Sequence, residues 1–177
     1  EVPAIGFYDN ADFPWLPKLE AGTDVIREEL LAAMREDSED FQPYLNHSET
    51  QPLDQWAELN RSPKWSAFYL WRDGVRVEDH CRRCPRTAAL LESLPMLDMP
   101  GHGPTFLFSC LAPNTHIPAH TGDTNVRLVV HLPLIVPPNC RFRVGNETRE
   151  WEIGKAWIFD DTIDHEAWNG SDQLRVI

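Results

Sequence analysis

Asn125-Val126-Arg127-Leu128-Val129-Val130-His131-Leu132-Pro133-Leu134-Ile135-Val136 is the stretch that decides the fold class. It is rich in β-branched residues, and a period of two puts Arg127, Val129 and His131 on one face and Leu128, Val130 and Leu132 on the other. One face is apolar; the other carries a cation and an imidazole. Runs of the same kind recur at Trp65–Trp71, Thr105–Leu111, Cys140–Val144, Thr148–Ile153, Lys155–Phe159 and Gln173–Ile177, separated by Pro, Gly, Asn and Asp. Gly145-Asn146 between two of them is a hairpin signal. Short, closely spaced strands without helices between them predict a β-sandwich or jelly roll with helices packed outside.

The helices come from the first half. Val25, Ile26, Leu30, Leu31 and Met34 recur at helical spacing after Thr23-Asp24, which predicts an amphipathic helix to about Arg35. Pro85 opens a second helix, Pro85–Leu94, carrying Ala88, Leu90, Leu91 and Leu94. Between them, Glu36–Pro63 is acidic and weakly periodic, with Trp56 as its anchor, and reads as a long loop with a helical turn, a common form for binding loops.

A chain of 177 residues suits one domain. The expected organisation is N-terminal helical and loop support over about 1–64 and a β core over about 65–177. The sequence stops inside an apolar β-rich run at Leu174-Arg175-Val176-Ile177, so truncation of a longer C-terminus is expected. With 16 Lys plus Arg against 28 Asp plus Glu, the formal net charge of −12 argues against a broad grip on nucleic acid. There is no apolar run long enough for a membrane span, and Glu1-Val2-Pro3-Ala4 does not open like a signal peptide; a cytoplasmic location is the expectation. Cys81 and Cys84 lie close in sequence, but Cys110 and Cys140 each stand alone, so a four-thiolate zinc site lacks its second pair. Plain surface or half-buried thiols are expected, although the neighbouring arginines leave redox chemistry open.

The chemistry-bearing residues are His120 in Ala119-His120-Thr121-Gly122, His165 in Asp164-His165-Glu166, and Arg175. Two neutral imidazoles can hold a divalent metal and leave positions open for reactants, and a guanidinium can grip a carboxylate through two parallel hydrogen bonds. His131, taken alone, reads as a satisfied core histidine.

Taken together, His120-Thr121-Gly122-Asp123-Thr124-Asn125-Val126-Arg127-Leu128, His131-Leu132-Pro133-Leu134, Phe159-Asp160-Asp161, His165-Glu166-Ala167-Trp168-Asn169 and Arg175 resemble the aspartyl/asparaginyl β-hydroxylase family. The likeness covers about Trp65 to Ile177, with Asn146–Trp151 and Gly154-Lys155 adding to it. It implies a double-stranded β-helix, a cupin-like jelly roll, and an Fe(II)- and 2-oxoglutarate-dependent dioxygenase that uses O₂ to hydroxylate an unactivated carbon. It further implies that His120 and His165 ligate iron. Arg175, helped by Ser109 and Trp65, would hold the distal end of 2-oxoglutarate, with His131 beside the chelated end.

The usual carboxylate ligand two residues after the first histidine is replaced by Gly122, as in the family that the chain resembles. Asp123 would point away from His120 on a regular strand and reads as a turn acid. Asp160, Asp161 and Asp164 crowd His165: one of them could accept the free ring N–H of a ligand histidine, turn-forming acids are the other reading for all three, and for Asp164 that reading is the favoured one. Val129 stands where better-known members carry an arginine, and Arg127, on the same face, is the candidate substrate cation. The β-carbon of an Asp or Asn residue or a related small acid is the expected target, and a free amino acid or lipid acyl chain also fits. The rival readings are a cupin-like module that binds metal or a small acid without turnover, a halogenase using the open position at Gly122, and a zinc hydrolase.

Overall fold

The computed structural model describes residues 5–48 and 50–177. The chain is mainly β, with antiparallel sheets and a few short helices. The strands are β1 (Gln42–Pro43), β2 (Trp65–Arg72), β3 (Val75–Arg76), β4 (Phe106–Leu111), β5 (Thr115–His120), β6 (Val129–His131), β7 (Cys140–Val144), β8 (Glu147–Glu150), β9 (Trp157–Phe159), β10 (His165–Asn169) and β11 (Arg175–Val176). One sheet runs β1-β2-β4-β11, with β3 also pairing to β2; a second runs β5-β10-β7-β8; β6 pairs with β9. An isolated bridge from Ile135 to Val176 ties the segment after β6 to β11, and one from Phe7 to Phe159 lays the N-terminal segment on β9.

Alternation sorts the side chains into two cores. Phe68, Leu70, Phe108, Cys110, Ile158 and Val176 face the helices, which are α1 (Leu16–Ala21), α2 (Thr23–Glu36), α3 (Glu78–Arg83) and α4 (Pro85–Glu92). Trp65, Leu111, Ile117, Phe142, Val144, Trp157, Phe159 and Ala167 form the other core, fed by both sheets. The parity expected for β6 is seen: Val130, with its neighbours Leu128 and Leu132, packs toward the helices, and Val129 toward the second core. On α2, Ile26, Leu30 and Ala33 are buried, and Glu29 is buried with them. Its carboxylate accepts from the Thr87 amide (2.7 Å), the Thr87 hydroxyl (2.8 Å) and the Arg86 amide (3.2 Å). It thereby satisfies donors of the first turn of α4 that no intrahelical carbonyl can reach.

The sequence reading and the structure part in specific places. Only Val129–His131 of the expected strand Asn125–Val136 is laddered; Pro133 has no N–H to give, and pairing resumes at Ile135. The hairpin at Gly145-Asn146 is present, joining β7 to β8 with Gly145 at φ +56°. β5 and β10 both lie outside the β-rich runs that composition marks. Pro118 interrupts β5, which an edge strand tolerates, and four residues of β5 (Ile117 to His120) lie opposite three of β10 (Ala167 to His165), a bulge at Pro118-Ala119. The N-terminal part is more than support, since β1 is a sheet strand. All four cysteines are buried rather than surface or half-buried. Burial pushes the Cys84 thiol up to about 12 and raises Cys81 as well, which disfavours the thiolate that zinc binding and redox exchange both need.

One polar side chain ties the two sheets together. Asn169, at the end of β10, lies fully buried, and its amide donates to the carbonyls of Leu111 (3.0 Å), Ala112 (3.0 Å) and Gln173 (2.8 Å). Its oxygen accepts from the Ser171 amide (3.1 Å), the Ser171 hydroxyl (2.7 Å) and the Cys140 thiol (3.3 Å).

Candidate metal and anion site

His120 closes β5 and His165 opens β10, and the two are direct partners across the strand pair. Their ring centroids stand 4.2 Å apart. The Nδ1–H of His120 donates to the Pro118 carbonyl (2.7 Å) and that of His165 to the Ile163 carbonyl (2.9 Å). Each bond fixes the tautomer and leaves Nε2 as the lone-pair nitrogen, the arrangement a metal-binding imidazole requires. Burial lowers the pKa of both rings, which keeps them neutral. The acceptor of each ring N–H is thus a backbone carbonyl two residues upstream, not an aspartate.

The three acids near His165 separate by geometry. The Asp160 carboxylate caps its own turn, accepting from the Thr162 amide and hydroxyl (2.9 and 2.6 Å). Asp164 faces out and pairs with Arg143 (2.8 Å). Asp161 turns inward and lies against Gly122: a Cβ at that glycine would come within 2.6 Å of the Asp161 Cγ. Its Oδ1 is buried without a hydrogen-bond partner, and Arg127 Nη2 is 3.8 Å from Oδ2. Burial raises the Asp161 pKa while Arg127 opposes the shift. Arg127 itself is half-buried. Its Nη1 donates to the His102 carbonyl (3.1 Å), and its Nε is buried with no partner. Asp123 is exposed.

The buried cation lies on the other sheet. Trp65, Leu111 and Arg175 form one row across β2, β4 and β11. Ala67 and Ser109 lie two rows on, on the same face, with Ile177 joined to Ser109 by two backbone hydrogen bonds (2.8 and 3.1 Å). Trp65 Nε1 donates to Ser109 Oγ at 3.2 Å. Arg175 is 1% exposed, its Nε and Nη2 are buried without an acceptor, and its guanidinium stacks over Trp151 at 4.9 Å. Burial pulls its pKa down to about 10, still far above neutrality.

His131 joins the two halves. Its Nδ1 receives the indole N–H groups of Trp157 (3.3 Å) and Trp151 (3.4 Å), so its own proton sits on Nε2. Full burial holds its pKa well below 6.5. Phe159 packs against both His131 (4.7 Å) and His165 (5.5 Å), and Trp151 touches both His131 and Arg175. A run of contacts thus leads from the histidine pair to the buried arginine. Among the described residues, no three or more His, Cys, Asp or Glu side chains are grouped to hold a metal, so no third such side chain joins the two histidines.

The family model described as aspartyl/asparaginyl beta-hydroxylase matches residues 20–177. The chain belongs to that family. The match begins well upstream of Trp65, where the motifs carrying the resemblance start. The chain is 38% identical over 175 residues to an ornithine lipid ester-linked acyl 2-hydroxylase of Rhizobium tropici, covering 96% of this chain and 57% of that protein. It is 36% identical over 174 residues to an aspartyl/asparaginyl beta-hydroxylase of Homo sapiens, covering 92% of this chain and 21% of that one. Aspartate beta-hydroxylase domain-containing protein 2 of Homo sapiens is 39% identical over 119 residues, 66% of this chain and 32% of its own length. The chain therefore spans little more than half of the first of these relatives and about a fifth of the second.

Of the candidates read from the sequence, Trp65, Ser109 and Arg175 lie on the first sheet, His120 and His165 on the second, and His131 on the β6–β9 pair. Sequence reasoning passed over Trp151 and Trp157, whose indoles set the His131 tautomer, and it valued Trp56 only as a loop anchor. Trp157 faces the same way as Phe159 by strand parity, a signal available from the sequence.

Proposed function

We propose that this chain is the oxygenase domain of an Fe(II)- and 2-oxoglutarate-dependent hydroxylase, built as a double-stranded β-helix of the jelly-roll type. Two antiparallel sheets feeding one inner core, with helices on the outside, support that architecture. The observation that carries the function is Arg175, a charged, fully buried guanidinium with two unpaired nitrogens on the same inner core as a pair of tautomer-fixed histidines. An unpaired buried cation is costly, by several kcal/mol, and an anion bound against it removes that cost. The residues fit the group: neutral Nε2 nitrogens for ferrous iron, and a guanidinium for a carboxylate.

In this reading His120 and His165 hold the metal. Arg175 anchors the distal carboxylate, and the Ser109 hydroxyl, already accepting from Trp65, turns its proton to the same anion. His131 donates from Nε2, its orientation fixed by two indoles. Asp161 occupies the space beside Gly122 and presents an unsatisfied oxygen there. With 2-oxoglutarate and O₂, bound iron supplies the oxidising power to hydroxylate an unactivated carbon. The protein orients the reactants and excludes water.

The names of the relatives share a chemical position. The β-carbon of an Asp or Asn residue and carbon 2 of an ester-linked acyl chain are both methylenes next to a carboxyl-derived carbonyl. A methylene in that position is the target proposed here. Halide use is disfavoured, because the space at Gly122 is filled by a carboxylate that repels an anion. The test is anaerobic reconstitution with Fe(II), then 2-oxoglutarate and O₂, with succinate read by mass spectrometry. Succinate is expected from the wild type and not from His120→Ala. Its absence from the wild type, or equal amounts from both, overturns the reading; the first outcome leaves a binding module.

A further inference from the structure

The two histidines are supported unequally. β10 is an inner strand, paired on one side to β5 and on the other to β7, and Phe142 (5.9 Å) and Phe159 (5.5 Å) close on the His165 ring. His120 is the last residue of an edge strand, and residues 121–128 after it form no strand. The bond from Nδ1 to Pro118 restrains one nitrogen of its ring. What packs on the ring beside His165 is Trp65, at 6.3 Å, and Trp56, edge-to-face at 5.1 Å and 73°.

Trp56 arrives from outside both sheets. It ends a 3₁₀ turn, Asp54–Trp56, its amide donates to the Leu53 carbonyl (2.7 Å), and its carbonyl accepts from Leu59 (3.0 Å) and Asn60 (2.8 Å). The Asn60 side chain bonds both the amide and the carbonyl of His47 (2.8 and 3.2 Å), and Leu59 is buried, so the base of this segment is firmly docked. Gln55 Nε2 donates to the carbonyl of Ala119, the residue before His120, at 3.0 Å. Beyond that point Gln55, Glu58 and Leu59 stand off His116 and Pro118 across a cleft of about 220 Å³. The segment thus reaches the β5 end at Ala119 and the His120 ring, while Leu59 and the Trp65-facing side of Trp56 (6.3 Å) pack on the inner core and hold the indole in place.

We infer that Trp56 is a positioning residue for the metal site: held by its turn and by the Gln55–Ala119 bond, its indole fixes the His120 imidazole with Nε2 beside His165 and screens that ring from water. This rests on the metal-binding reading above. Partners that orient a ligand histidine typically change metal affinity by about 10 to 100-fold when removed. A ring contact lies at the low end of that range.

The experiment titrates metal-free protein with Co(II), following its visible absorption bands, for the wild type, Trp56→Ala and Trp56→Phe, with thermal melts of each. Trp56→Ala is expected to bind Co(II) about tenfold more weakly with altered bands, and Trp56→Phe to recover most of the affinity. Wild-type affinity and spectrum in Trp56→Ala, even with a lowered melting temperature, overturn the inference and leave the metal site standing. Should Trp56→Ala not fold, Trp56→Leu decides in the same way, weaker binding supporting the assignment and unchanged binding ending it. No Co(II) binding by the wild type strikes the metal site itself and takes this inference with it.

Discussion

Replacing Arg175 by methionine is expected to stabilise the protein and disable its anion site together. Burial brings the guanidinium from 12.5 down to about 10, which at about 1.4 kcal/mol per pH unit amounts to roughly 3 kcal/mol of stability lost by carrying the charge indoors. The stack on Trp151 returns about 1–2 kcal/mol of that. Methionine fills similar space without a charge, so the net gain is about 1–2 kcal/mol. For a chain of this size 1 kcal/mol moves the melting temperature by about 2–4 °C, giving a rise of several degrees without ligand. The opposite sign appears with 2-oxoglutarate. Losing a paired, charge-assisted contact costs about 3 kcal/mol, about a hundredfold in affinity. Wild type at 100 times its dissociation constant gains about 2.7 kcal/mol, and the variant gains almost nothing at the same concentration. The assay is a pair of thermal melts, with and without 2-oxoglutarate, on protein loaded with Zn(II) to prevent turnover. A variant that melts lower without ligand and still gains the full wild-type increment refutes the reasoning on both counts.

Three further outcomes follow from other parts of the structure. The folded-state pKa of His131 lies well below 6.5, and those of His120 and His165 are lowered too, so on acidification the unfolded chain takes up protons that the folded one refuses. Their contribution is therefore complete above pH 6.5 and declines as pH falls toward the folded-state values; urea melts across that window should show the slope, and His131→Gln should flatten it. Gly122→Ala drives a methyl into the Asp161 carboxylate and is expected to cost about 1–3 kcal/mol. Adding Asp161→Ala should restore much of that, a non-additivity readable in a double-mutant cycle. Glu29→Ala strips the cap from α4 and is expected to cost about 2–3 kcal/mol in urea unfolding, with Co(II) binding unchanged because the histidine pair lies against the other core.

The sequence exposes this fold unevenly, for physical reasons. β2, β4, β7 and β9 announce themselves because inner-core strands are apolar on both faces or alternate cleanly. α2 and α4 do so through periodicity and Pro85. The strands that carry the histidines stay hidden: β5 holds a proline tolerated only at its edge position, and β10 reads His-Glu-Ala-Trp-Asn, with no β-branched residue. His120 and His165 were thus legible as chemistry before they were legible as structure. Arg175 was legible in kind, while its complete burial depends on packing that one-dimensional pattern cannot show. Asp161 could not be told from Asp160 and Asp164, because what separates them is a turn that rotates one carboxylate toward Gly122 and the other two away.

The amide of Asn169 acts on the site from a distance. It fastens β10, the strand that begins with His165, to the carbonyl of Leu111, the residue directly across from Arg175. One side chain, whose two ends both reach backbone groups, thus ties the strand of the histidine pair to the row of the buried guanidinium.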